Sequence, residues 1–322
     1  MRYLAIIATS AVVALPCSDT WSQSYPAKPV RVVVAFPPGG ASDIITRLVG
    51  RKLGEDLGQS FLVDNRPGAA GIIGCEAVAR AAPDGYTLLM GTTGTQTTNP
   101  AVFAKLPYNS IRDFAPISLV AESPFILVVH PSLPVKSIRD LIALAKARPG
   151  ELTYSSSGIG GIAHLGMALF ESMAEIKMTH IPYKGSPAQT LAVIAGETAM
   201  VFDSITVTGP YIKANRIRPL GIASAKRSSL LPDLPTISES GVKGYELVSW
   251  YAMFAPAATP PQIVRSLHRG VVKALAAPDI REQFAKLGTE PIGTTPEELA
   301  AVVQRDLKKW AKVARDANVK PE

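Results

Sequence analysis

Two segments of this chain combine an apolar run, a glycine-rich turn and a helical apolar spacing, a combination that can hold an anion without any charged side chain. The first is Val30-Arg31-Val32-Val33-Val34-Ala35-Phe36-Pro37-Pro38-Gly39-Gly40-Ala41-Ser42-Asp43, followed by Ile44, Ile45, Leu48, Val49 and Leu53 at helical spacing. The second is Leu152-Thr153-Tyr154-Ser155-Ser156-Ser157-Gly158-Ile159-Gly160-Gly161-Ile162-Ala163-His164, with Leu165, Leu169 and Phe170 behind it. A helix N-terminus carries about half a positive charge and several unpaired N–H groups, and glycine lets a ligand approach that bare backbone. Two such ends facing one cleft would grip a small anion.

Other chemistries lack their residues. Gly158-Ile159-Gly160-Gly161-Ile162-Ala163 fits the dinucleotide pattern G-x-G-x-x-A, but the following strand ends in Pro182-Tyr183-Lys184 and not in the acid that would hold a ribose. There is no phosphate-binding G-x-x-x-x-G-K-[ST], no G-x-S-x-G elbow, and no histidine and acid placed to activate a serine. His130, His164, His180 and His268 have no ligand spacing among themselves or with Cys75, so neither a metal nor a cofactor is expected. Binding is favoured over catalysis. An exported α/β enzyme acting on a carboxylate through Ser157 or Asp203 remains the alternative, as does a receptor for a signalling partner.

These turns need sheets and helices to hold them. The segments alternate as strand Arg31 to Phe36, helix 43 to 57, strand Phe61 to Asp64, helix 71 to 81 and strand Thr87 to Gly91, the rhythm of an α/β fold with crossover helices. A second series runs from strand Ile117 to Val129 through helix 138 to 147, strand 152 to 155, helix 161 to 173, strand 178 to 182, helix 187 to 195 and strand 199 to 202. Ser137 and Asp140 form a capping-box-like start, and Thr295-Pro296-Glu297-Glu298 opens a terminal amphipathic helix carrying Leu299, Val302, Val303, Leu307, Trp310 and Val313. A chain of 322 residues suggests two domains. We expect the chain to cross out of the first near residue 123 and back near Tyr245 to Phe254, which makes a two-strand hinge with a cleft beside it.

The N-terminus reads as a leader. Arg2 precedes an apolar run from Leu4 to Leu15, and Thr20-Trp21-Ser22 offers small residues for cleavage, so residues 1–23 are expected to be a signal peptide and the mature protein periplasmic. Proline before Cys17 argues against lipidation there, which leaves Cys75 as the mature chain's thiol, packed in a helix. The net charge is +7, and removing the leader takes away Arg2 and Asp19 without changing it. The basic residues are scattered, so nucleic acid is not an expected partner.

Further motifs carry a family resemblance. Phe36-Pro37-Pro38-Gly39-Gly40-Ala41-Ser42-Asp43, Asn65-Arg66-Pro67-Gly68-Ala69-Ala70-Gly71, Ala82-Pro83-Asp84-Gly85-Tyr86-Thr87-Leu88-Leu89, Ser157-Gly158-Ile159-Gly160 with His164-Leu165, His180-Ile181-Pro182-Tyr183-Lys184-Gly185, and Leu231-Pro232-Asp233-Leu234-Pro235-Thr236 together resemble the Bug family, the extracytoplasmic solute receptors of tripartite tricarboxylate transporters. The resemblance spans about residues 25 to 315. Its departures are Ala70, where the family often has glycine, and Cys75 in the following helix.

What this implies is a two-lobed periplasmic binding protein of the Venus flytrap, type II-like form, with domain 1 from 24–122 plus 245–322 and domain 2 from 123–244. It implies a monomer that binds a small carboxylate and delivers it to integral-membrane permease subunits. The resemblance nominates Phe36, Pro38, Gly39, Gly40, Ala41 and Ser42 as a carboxylate cradle and Thr92, Thr93, Thr95 and Gln96 as a further wall. From the second lobe it nominates Ser156, Ser157, Gly158, Gly160, His164, Tyr183, Lys184, Gly185, Asp203 and Ser204. Asp43 is a candidate contact that suits a helix cap better, since a carboxylate aimed at a bound anion would repel it. His164 either donates to the ligand or packs, and Asp203 either meets a ligand ammonium or bonds nearby N–H groups.

Overall fold

A proline in the middle of a 16-residue strand divides this molecule. The computed structural model describes residues 25–317 and 319, and the leader and Cys17 lie outside the described residues. In chain order the elements are β1 (Val30–Val34), α1 (Ala41–Leu57), β2 (Phe61–Asn65), α2 (Ile72–Ala79), β3 (Thr87–Thr92), α3 (Asn99–Val102) and β4 (Phe114–Val129). There follow α4 (Ile138–Ala147), β5 (Thr153–Ser156), α5 (Ile162–Ala174), β6 (Thr179–Pro182), α6 (Ser186–Ile194), β7 (Met200–Ser204), α7 (Ile205–Lys213) and β8 (Arg218–Ile222). The chain closes with β9 (Val248–Pro256), α8 (Pro261–Ala276), α9 (Pro278–Lys286), β10 (Glu290–Pro291) and α10 (Pro296–Asp316).

The strand order is β2-β1-β3-β9-β4-β7-β5-β6, with β8 and β10 also pairing β4. Up to Pro124, β4 pairs antiparallel with β9. From Phe125 onward it pairs with β7 and β8. Pro124 has no N–H to continue the ladder, and the next donor, Phe125 N–H, reaches Leu247 O instead at 3.2 Å. Strand β4 thus leaves one half of the sheet and enters the other, giving two α/β lobes. In the first, β1 pairs parallel with β2 and β3. In the second, β5 pairs parallel with β6 and β7.

Apolar burial follows this division only in part. In the first lobe Ile45, Val49 and Leu53 of α1 pack with Leu267 and Val271 of α8 on one face of the sheet, and Cys75, Val78, Trp250, Phe254, Leu299 and Val303 fill the other. The second lobe is built on Phe170, Phe202 and Tyr245, whose rings meet at 5.7–6.1 Å. Trp310, Val313 and Ala314, at the end of α10, belong to this second core. Segment 245–322, read from sequence as part of domain 1, therefore reaches across: α10 begins on the first lobe and ends on the second. Val102 likewise packs into the second core and Val207 into the first.

Several local readings shift. The 71–81 helix is shorter and is preceded by a 3₁₀ turn at Ala69–Gly71. The polar run after β3 is wound into a π turn over Gly94–Thr98 that joins α3, a conformation that threonine-rich sequence does not signal. Thr295 and Glu298 form the complete capping box. Ser137 caps α4 by accepting from Asp140 N–H at 3.1 Å, but the Asp140 carboxylate accepts from Lys136 N–H, one residue ahead of the box position.

Candidate functional site

The first glycine turn presents unpaired backbone to the space between the lobes. Gly39 has φ +84°, a left-handed conformation that favours glycine, and Gly40 is the N-cap of α1 without a side-chain cap. A methyl added at Gly40 would lie 3.9 Å from both Pro187 Cδ and Ser186 Cβ of the facing lobe, so only a thin gap is open there. Asp43 does not face that gap. Its Oδ2 accepts from Gly39 N–H at 3.0 Å and Arg47 Nε at 3.1 Å, and its Oδ1 accepts from Asn65 Nδ2 at 3.0 Å. Burial pushes this carboxyl up, but the bonds from Arg47, Gly39 and Asn65 prevail and hold it below the usual range. Asp43 braces the turn from behind.

The second turn is braced by histidines. Gly158 and Gly160 have φ +135° and +75°, and Gly161 is the N-cap of α5, again with no side-chain cap. Gly160 N–H donates to His164 Nδ1 at 3.1 Å, and Gly158 N–H donates to Ser156 Oγ at 3.2 Å, which pairs at 2.6 Å with His180 Nε2. The two imidazoles stack with centroids 3.9 Å apart, and Tyr154 stacks on His180. Burial lowers His164 to about 4, and burial together with the neighbouring His164 lowers His180 to about 3. His164 is thus a neutral packed support. The Ser156–His180 pair resembles a nucleophile and base, yet Ser156 is fully buried and outside the lining of the cavity.

Between the turns lies a cavity of about 70 Å³. Of the residues nominated from sequence, Phe36, Gly40, Ala41, Ser42, Thr92, Ser157 and Asp203 line it. Gly158, Tyr183, Lys184 and Gly185 line a second, outer cavity of about 500 Å³, which Phe36 and Ser157 also border. Pro38 and Gly39 form the back of the first turn and border neither cavity. The wall after β3 is mostly internal: Thr93 Oγ1 accepts from Trp250 N–H at 2.9 Å, Thr95 Oγ1 accepts from Thr92 N–H at 3.0 Å, and Gln96 Nε2 approaches Cys75 Sγ at 3.8 Å. Ser204 is buried as the N-cap of α7, behind the inner cavity.

Asp203 is the one charged side chain lining the inner cavity. Its Oδ2 accepts from Ser186 Oγ and Thr190 Oγ1 at 2.7 Å each, and its Oδ1 accepts from Ser204 N–H at 2.7 Å. Burial still leaves its carboxyl above the usual range, against the lowering effect of these bonds. Asp203 thereby ties the first turn of α6, through Ser186 and Thr190, to the start of α7 at Ser204. Beside it, Gln189 Oε1 is buried without a partner.

Several lining residues have no sequence signal. Tyr251 enters because β9 sets it opposite Thr92, a long-range register. Ala70 enters because it and Ala69 adopt left-handed φ values of +52° and +46°, held by Asn99 Nδ2 donating to Ala70 O at 3.0 Å. Ser186 and Pro187 did carry one, since they open a helix at a strand end. Among the described residues no group of His, Cys, Asp or Glu is arranged to hold a metal.

Two α/β lobes meeting on a cavity lined by helix ends define a two-lobed solute-binding protein of the periplasmic type. The chain belongs to the TctC family, described as the tripartite tricarboxylate transporter family receptor, whose pattern matches residues 45–319. It is a solute-binding receptor and not an enzyme. It is 35% identical over 324 residues to Protein BugT of Bordetella pertussis (strain Tohama I), with 99% of this chain and 98% of that protein covered. Among solved structures it is similar to R. palustris Rpa4515 with adipate, at a TM-score of 0.90 and 38% identity, covering 92% of this chain and 100% of that one. It is also similar to MatC from Rhodopseudomonas palustris with bound malate, at a TM-score of 0.86 and 30% identity, covering 90% and 99%.

Proposed function

We propose that this protein is an exported receptor that captures a small carboxylate between its lobes and delivers it to the membrane permease subunits of a tripartite transporter. The observation that carries this reading is the pair of uncapped helix N-termini, α1 from one lobe and α5 from the other, opening on one cavity lined by no basic side chain. The anion is held by N–H groups of Gly40, Ala41 and Ser42, and the loop from Ser157 to Gly161 closes over it. The adipate and malate in the related structures are the class of solute this arrangement suits.

Magnitudes require both lobes. One helix end contributes roughly 0.3 to 2 kcal/mol, whereas micromolar affinity needs about 8. The rest comes from further hydrogen bonds and from water excluded when the lobes meet, so closure is part of affinity. In this reading the first lobe comprises 24–122 and 245–322, the second 123–244, with α10 bracing both. Residues 1–23 direct export and are removed, and the mature protein acts in the periplasm as a monomer. A thermal-shift screen of small carboxylates tests the proposal, since a ligand at 100 times its Kd stabilises by about 2.7 kcal/mol. If no carboxylate raises the melting temperature, the receptor reading is wrong.

A further inference from the structure

The lobes also meet where neither the inner nor the outer cavity reaches. Helix α7 starts two residues after Asp203, and its first three residues, Ile205, Thr206 and Val207, are all buried. All three touch the first lobe. Val207 belongs to the first core, together with Tyr251 and Leu267. Ile205 lies over Gly288, in the turn between α9 and β10, where φ is +63° and an added methyl would run into Ile205 and into Leu230 of the second lobe.

Thr206 makes the polar part of this contact. Its Oγ1 donates to Leu287 O at 3.1 Å, which uses its single hydrogen, so in the 2.8 Å bond with Thr289 Oγ1 the donor is Thr289. Ser123 Oγ of β4, beside Pro124, stands 3.4 Å from the same oxygen. Thr206, Thr289 and Ser123 are all buried, where a hydroxyl that loses its partner is costly. None of the three lines the inner or the outer cavity, so a solute held there does not touch them.

The segments that cross between the lobes pass at Pro124 and at Leu247. The α7 contact lies beside them, at the edge of the sheet where β10 pairs with β4. Rotation of the lobes about the crossing segments therefore moves Thr206 against Leu287 and Thr289.

We infer that Thr206 is a positioning residue for solute capture: its hydroxyl, clasped by Leu287 and Thr289, holds the lobes together from outside the cavities, and the clasp loosens when they part. This rests on the receptor reading above and adds to it a source of affinity that the solute does not supply. Loss of the clasp lowers the closed share of the protein, and with it the apparent affinity for every solute by the same factor.

The test is calorimetric titration of the mature chain with the carboxylates that the thermal screen returns, adipate and malate being the first tried. In Thr206→Val each is expected to bind more weakly by one common factor, roughly threefold to tenfold, the scale of one buried neutral hydrogen bond. Thr206→Ser keeps the hydroxyl and retains wild-type affinity. Thr289→Val, which keeps the bond to Leu287, gives a smaller loss in the same direction and decides the matter if Thr206→Val does not fold. Adding Thr289→Val to Thr206→Val weakens binding no further, because the bond it removes is already gone. Unchanged affinity in both single variants, a loss confined to one solute, an equal loss in Thr206→Ser, or additive losses would each overturn this inference and leave the receptor reading standing. Absence of binding by every carboxylate overturns both.

Discussion

At the scale of single residues, the site depends on what is absent from Gly40 and on what stays uncharged beneath Gly160. A β-branched side chain at Gly40 would fill the gap that separates it from Pro187 and Ser186. Its φ of −78° is open to any residue, so Gly40→Val is expected to fold normally and to lose about 3 kcal/mol or more of binding, roughly a hundredfold. Wild-type affinity in that variant, measured by titration, would refute the backbone cradle. The stacked pair His164 and His180 makes a pH prediction. Both imidazoles have folded values, about 4 and about 3, below their unfolded value of 6.5, so the unfolded chain binds more protons between these limits. Their contribution to stability is complete above pH 6.5 and is lost as pH falls toward 4 and then 3. With both rings partly solvated, screening reduces the loss to about 1 to 2 kcal/mol for the pair. Thermal melts from pH 7 to 4 should show this slope, and His164→Asn with His180→Asn should flatten it; an unchanged slope would remove the histidines from the account.

At the scale of elements, caps decide which helix ends are closed and which stay open. Helix α10 is sealed by Thr295 and Glu298, whose reciprocal bonds are 3.2 and 2.8 Å, and it has no functional end. Thr295→Ala is expected to cost about 1 kcal/mol in a chemical melt with no change in ligand affinity. A comparable loss of affinity would mean that α10 acts on the cleft more directly than its packing indicates. Asp203 ties the starts of α6 and α7 together through Ser186, Thr190 and Ser204, and the residues that open α1 and α5 line the cavity. Much of this was legible: the glycine turns, the two capping residues and the strand-to-helix rhythm all follow local rules of periodicity and cap chemistry. The π turn over Gly94–Thr98 and the left-handed Ala69 and Ala70 were not legible, because tertiary bonds from Tyr108 and Asn99 hold them against local preference.

At the scale of the whole molecule, the two lobes share more than a hinge. Helix α10 places Leu299 and Val303 in the first core and Trp310, Val313 and Ala314 in the second, and Trp250 Nε1 of β9 donates to its Asp306 at 2.9 Å between them. Trp310→Ala should therefore cost about 3 to 5 kcal/mol, as expected for deleting a buried tryptophan, and should loosen the second lobe first. Hydrogen exchange that rises equally in both lobes, or only in the first, would contradict this division. The contacts of Pro37 with Gly185 describe lobes already together, so small-angle scattering of ligand-free protein should give a larger radius of gyration than the carboxylate complex. Equal radii would remove closure from the mechanism.

By itself the sequence determined the α/β class, the two anion-ready turns and the family, because each of these is written in short stretches whose chemistry is local. The tertiary structure decided which nominated residues line the cavities between the lobes. It turned Asp43 and His164 into supports, sent Lys184 to an outer cavity and brought Tyr251 to the inner one. It also made α10 common to both lobes. These outcomes depend on strand register and on packing between segments far apart in the chain, where one residue of offset exchanges a buried face for an exposed one.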